Sequence, residues 1–142
     1  DVKEKKRIEG IVPDNLRKWV EVTDRFPRNK AIEMLQKTHV LLGIAYGNMK
    51  GIPSSKLYEY LAIGKPVLLC PTDSDVMEEI LSESGLGFFA KNQSQGLSVL
   101  LELQDLYENE ANLSQLKKQS LEVVRKYSRF HQLKKLADHL GQ

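Results

Sequence analysis

From Ile52 to Cys70 the chain reads Ile-Pro-Ser-Ser-Lys-Leu-Tyr-Glu-Tyr-Leu-Ala-Ile-Gly-Lys-Pro-Val-Leu-Leu-Cys. A polar loop, a short helix, a Gly-Lys-Pro turn and an apolar strand follow one another without a break, which is how α/β proteins present a helix N-terminus to an anion. Proline and two serines precede the helix. Its first-turn amides lack intrahelical partners, so Ser54 or Ser55 can cap them or a ligand can take them. Lys56 adds a positive charge at an end where the helix dipole favours acidic groups, and a bound anion explains that charge better than helix stability does. Glu59 follows Ser55 by four positions and Lys56 by three, placing the three on one helical face, where the carboxylate can accept hydrogen bonds from a hydroxylated part of the same ligand. Phosphate and sugar together point to a nucleotide. The same residues also admit a plainer account, in which a serine is only a cap, Lys56 and Glu59 a surface pair, and Gly64-Lys65-Pro66 a helix stop.

The 142 residues are 41% hydrophobic and 28% charged, enough for one sizeable core and scarcely two, so a single domain is expected. Net charge is +2 and aromatics are 7%, without the dense basic face interleaved with aromatics that marks nucleic-acid binding. The lone Cys70 ends an apolar run, reads as a small buried hydrophobe and favours a reducing, cytoplasmic compartment. No apolar run approaches the ~20 residues that span a bilayer, and the charged start does not resemble a signal peptide. His39 and His131 have no second ligand at metal spacing, so no metal site is expected.

Along the chain, Val2 to Ile8 has a helical bias stopped by Gly10. Leu16 to Val22 mixes apolar and polar residues like a strand. Phe26-Pro27 leads into a helix over Lys30 to Lys37 that Asn29 can cap. His39 to Tyr46 is a continuous apolar strand of the kind parallel sheets bury, and a loop from Gly47 to Ser54 leads to the Glu59 helix. Pro66 to Cys70 is the next strand, and Asp73 and Asp75 sit in a loop that caps a helix running to about Ser84. Gly85 and Gly87 punctuate before a short Phe88 to Ala90 strand, and everything beyond Ser94 is helical with a break near Asn109 to Asn112. Strands alternating with helices imply an α/β fold with a doubly wound parallel sheet, helices on both faces and a helical C-terminal tail.

Lys56-Leu-Tyr-Glu-Tyr-Leu-Ala-Ile-Gly-Lys-Pro-Val67 resembles the signature of retaining GT-B glycosyltransferases, particularly glycosyltransferase family 4. Trp19 to Tyr46 resembles the strand, helix and strand that precede that signature, with Phe26 and Pro27 where a loop commonly walls the nucleotide base. Downstream, Asp75 to Ile80, Gly85-Leu-Gly-Phe-Phe89 and Tyr127-Ser-Arg-Phe130 resemble the family's following helix, Gly-x-Gly-x-hydrophobic strand and last-helix start. The resemblance spans nearly the whole chain.

It implies one half of a GT-B fold: the Rossmann-like C-terminal domain that binds the donor, its N-terminal acceptor domain lying outside this chain and its own first strand missing. In the family the matching glutamate, here Glu59, hydrogen-bonds ribose hydroxyls, and the residues matching Ser54, Ser55 and Lys56 face the diphosphate. The implied activity is transfer of a hexose from a UDP- or GDP-sugar to a carbohydrate or lipid-linked acceptor, without metal, without a tightly bound cofactor, and not by this chain alone. The implied partners are the nucleotide-sugar donor and the N-terminal domain, with room for peripheral association of the parent protein with the inner face of a membrane. The family often places a second glutamate against the donor sugar, and Gly51 stands there. Alternatives are a sugar-nucleotide epimerase of the same architecture, or a non-catalytic nucleotide-binding or interaction module of Rossmann-like fold. A receiver-like module would need acidic strand ends, where the chain has Tyr46, Cys70 and Ala90.

Overall fold

A computed structural model describes residues 2–46 and 49–141. Gly47 and Asn48, with which the expected loop begins, lie outside the described residues. The chain divides into two units, Asp1–Met34 and Leu35–Gln142.

The first unit holds helix α1 (Val2–Ile11), a 3-10 helix (Asp14–Trp19) and most of helix α2 (Arg28–Lys37). α1 continues through Gly10 to Ile11. The strand expected over Leu16 to Val22 does not form. Pro13 opens a turn in which its carbonyl accepts from the Leu16 amide at 2.9 Å, and Asp14 and Arg17 close an ion pair at 3.0 Å. Local turn chemistry wins there because β propensity is realised only against a partner strand. α2 starts two residues before Lys30: the Pro27 carbonyl accepts from the Ala31 amide at 3.0 Å, and Asn29 Oδ1 accepts from the Lys30 amide inside the first turn.

The second unit is a three-stranded parallel sheet in the order β1 (Leu41–Gly43), β2 (Val67–Leu69), β3 (Gly87–Phe89). Leu41 pairs with Val67 and Val67 with Gly87, so each pairing is reached through a crossover helix, α3 (Ser55–Ile63) or α4 (Val76–Ser84). Three of the expected strands are therefore present, the first two shorter than their apolar runs and the third begun one residue earlier, at Gly87, and the chain is mixed α/β with a parallel sheet.

The core lies between the sheet and these two helices. Leu57 and Leu61 of α3, and Met77, Ile80 and Leu81 of α4, bury against Leu41, Val67, Leu69 and Leu86. A nine-residue helix is too short to stand alone in water. Leu57 and Leu61, 1% and 2% exposed, each stabilise it by about 2 kcal/mol relative to leaving the side chain in solvent. Gly64 ends α3 at φ +70°, its amide donating to the carbonyls of Tyr60 and Leu61, as the Gly-Lys-Pro stop requires.

The helical tail comprises α5 (Gln93–Glu108), α6 (Glu110–Lys126) and α7 (Arg129–Leu140). Asn109 sits at the break and caps α6 by accepting from the Ala111 and Asn112 amides. Leu116, Val124 and Tyr127 pack against the core. Cys70, expected to be buried, is half-buried and faces Gly96 of α5, where an added Cβ would lie 3.6 Å from its sulfur. Among the described residues no helix is long and apolar enough to cross a membrane.

Candidate functional site

A cleft of about 260 Å³ opens where β1 ends and α3 begins. Its walls are formed by Leu42 to Tyr46 on one side and by Ser54, Ser55, Lys56, Leu57 and Tyr60 on the other. Val67 and Met77 contribute from β2 and α4. Crevices beyond the carboxyl ends of parallel strands are where open α/β sheets take their ligands.

Ser54 is the N-cap of α3. Its backbone is extended (φ −64°, ψ 138°), its Oγ accepts from the Lys56 amide at 3.3 Å, and its carbonyl accepts from the Leu57 amide at 3.0 Å. The cap account and the site account thus meet in one residue, because the capped helix end is also the end that faces the cleft. Ser55 and Lys56 are exposed and line it. The dipole of α3 and the Lys56 ammonium both make this wall favourable to an anion.

Glu59, one turn on, is half-buried and stands outside the cleft lining. Its charge reaches Tyr60. The Tyr60 hydroxyl is held above its ordinary pKa, chiefly by burial and secondly by the neighbouring Glu59 carboxylate. Tyr60 is among the lining residues that sequence reasoning missed. Its signal was available, since it follows Lys56 by four positions and so shares a helical face with it.

Phe26 and Pro27 belong to the first unit. Phe26 is half-buried, with the Lys30 ammonium 4.8 Å from its ring centroid, and the exposed Pro27 begins α2 through its carbonyl.

Asp73 acts as a loop cap, as its residue type suggests, whereas Asp75, at the N-cap position of α4, makes no side-chain bond to that helix. Asp73 receives the amides of Asp75, Met77 and Glu78 at 3.0 to 3.2 Å, which satisfies the first turn of α4. The Thr72 hydroxyl donates to Glu78 across the same turn. Asp75 Oδ2 accepts from the Gly51 amide at 2.6 Å and so ties the loop before Ser54 to the start of α4. Gly51 has φ +71°, a left-handed conformation that glycine adopts without penalty and glutamate does not. That backbone gives a physical reason for glycine where the resembling family often has a carboxylate.

No group of three or more His, Cys, Asp or Glu side chains among the described residues could hold a metal ion. His39 is engaged elsewhere, its ring edge-on to Tyr107 at 5.1 Å and its carbonyl accepting from the Tyr107 hydroxyl. Comparison with models of known families, with curated proteins and with solved structures gives no match.

Proposed function

We propose that this chain is the donor-binding part of a retaining glycosyltransferase. It would hold a nucleoside-diphosphate sugar whose hexose passes to a carbohydrate or lipid-linked acceptor bound by another domain of the same protein. The doubly wound, Rossmann-like half of a GT-B fold and a cytoplasmic place of work belong to the same proposal. The observation that carries it is the capped N-terminus of α3, with Ser54, Ser55 and Lys56 lining a cleft at the carboxyl end of β1. The likeness of Lys56 to Val67 to the family 4 signature supports it.

At about 260 Å³ the cleft lies just below the roughly 300–1,000 Å³ of small-molecule sites, a size that suits the diphosphate with base and sugar extending beyond it. Negative charge grows on the departing nucleoside diphosphate as the glycosidic bond breaks. Helix amides and a lysine aimed at the phosphates favour that charge more in the transition state than before it. Glu59 takes the ribose hydroxyls from its place outside the lining, as an acceptor-only carboxylate suits a vicinal diol.

One observation favours a second reading, nucleotide binding without transfer. The left-handed backbone at Gly51 leaves no carboxylate where the resembling enzymes often contact the donor sugar. Calorimetric titration with UDP, GDP and ADP, and then with the matching nucleotide sugar, separates the readings. Saturable binding of one diphosphate, weakened roughly ten-fold or more by Glu59→Ala or Lys56→Ala, is expected for both. Added affinity from the sugar supports the transferase; equal affinity supports the second reading. Absence of binding, in this chain and in the chain joined to its acceptor domain, would rule out both.

A further inference from the structure

The polar side chains of the cleft share one chemical character. Tyr46, Ser54, Ser55, Lys56 and Tyr60 each carry an O–H or N–H that can donate a hydrogen bond, and no Asp or Glu stands among the described lining residues. The rest of the lining is apolar or glycine. Such an inventory suits a ligand rich in acceptors and negatively charged, and it disfavours a cation.

Tyr60 holds a particular place in this set. It follows Lys56 by one helical turn, and long side chains on a helix lean back toward its N-terminus, which brings a residue one turn in to a cleft that opens at the helix start. The side chain is half-buried and packs against the core around Leu57 and Leu61, so little rotamer freedom remains to be lost when a ligand arrives. Its hydroxyl makes no hydrogen bond to another described residue. Burial first, and the Glu59 carboxylate second, hold the phenol above its ordinary pKa of 10.0, and at neutral pH it keeps its proton.

We propose that Tyr60 is a phosphate-binding residue of this cleft, its hydroxyl donating to a non-bridging oxygen of the nucleoside diphosphate beside the α3 amides and the Lys56 ammonium. The inference rests on the nucleotide-binding reading above and extends it to a residue on which that reading does not depend. A hydrogen bond to a charged oxygen is about twice as strong as one between neutral groups, and a phenol supplies it without placing a second fixed cation beside Lys56. The same bond strengthens as negative charge grows on the departing diphosphate.

Calorimetry of the full chain with UDP, GDP and ADP tests it, comparing the parent, Tyr60→Phe and Lys56→Ala. Tyr60→Phe keeps the ring and its packing and removes a hydroxyl that has no described partner to lose, so its thermal melting is expected to match the parent. Its affinity for the diphosphate that binds is expected to fall roughly ten-fold. Equal affinity of Tyr60→Phe and the parent overturns the assignment of Tyr60, and a loss in Lys56→Ala alone shows that the nucleotide site itself stands. Weaker binding accompanied by a lower melting temperature also overturns the assignment, because the hydroxyl then serves the fold. Binding of none of the three diphosphates, by this chain or by the chain joined to its acceptor domain, overturns the nucleotide site and the role of Tyr60 together.

Discussion

Asp75 accepts a 2.6 Å hydrogen bond from the amide of Gly51, twenty-four residues earlier in the chain. The two helix starts beside β1 and β2 are thereby joined, because Gly51 lies just before the cap of α3 and Asp75 is the residue from which α4 departs. Removing that acceptor in Asp75→Ala is expected to cost about 1 kcal/mol, the usual worth of one such bond near the surface. Urea unfolding measures the cost. Amide exchange at Gly51, faster than in the parent while exchange in β2 is unchanged, would locate the loss.

Gly51 also tests whether the missing carboxylate can be restored. A Cβ placed on it meets nothing within 4 Å, so Gly51→Glu fits sterically, but φ +71° strains any side-chain-bearing residue. Gly51→Ala and Gly51→Glu are both expected to lower stability by about 1 kcal/mol, read as a shift in urea midpoint. A larger loss in the glutamate variant alone would point to repulsion from Asp75.

The Glu83–Tyr127 pair predicts how stability depends on pH. Glu83 is held below its ordinary carboxylate pKa, first by the Tyr127 hydroxyl and then by Lys126. Tyr127 is pushed up from 10.0 to about 12, first by burial and then by its bond to Glu83. A depressed carboxylate stabilises the fold above its unfolded pKa, and that contribution fades as pH falls through the lower folded value. A raised phenol stabilises the fold below its unfolded value, and that contribution fades as pH rises from about 10 toward 12. The stability difference between the parent and Tyr127→Phe is therefore expected to be flat across neutral pH and to shrink at both ends. Thermal melts across the pH range check it.

Gly87 opens β3 against the backbone of α4. An added Cβ would strike the Phe89 ring and lie 2.7 Å from Leu81 Cβ and 2.9 Å from the Leu81 carbonyl carbon. Because the helix backbone cannot give way as a flexible side chain can, Gly87→Ala is expected to destabilise by about 1–3 kcal/mol. Gly43→Ala, whose nearest neighbour is the Leu69 Cδ1 methyl at 3.1 Å, is expected to cost less. Denaturant titration of the two variants side by side checks the order.

The second unit was legible where one apolar run met one stop signal. Pro66 to Cys70, the glycine ending α3 and the break at Asn109 carry their own punctuation, and the elements fall there. Leu16 to Val22 carried a strand-like pattern with no such partner, and the Pro13 turn with the Asp14–Arg17 pair decided its shape instead. At the site, Ser54, Ser55 and Lys56 could be read because a helix N-terminus announces itself through serine and proline. Tyr60 was missed because an aromatic residue on a short helix looks like core, and the tie between Asp75 and Gly51 because it depends on a loop conformation rather than on spacing.

Each strand of the sheet is only three residues long, and each parallel pairing closes a loop that contains an entire helix. Such a sheet cannot assemble strand by strand, since a three-residue ladder gains too little to offset the entropy of closing that loop until Leu57, Leu61 and Leu81 are already packed. The ladder and its crossover helices therefore acquire protection as one cooperative body, and the exposed α7 is free to fray at its far end without loosening the floor of the cleft.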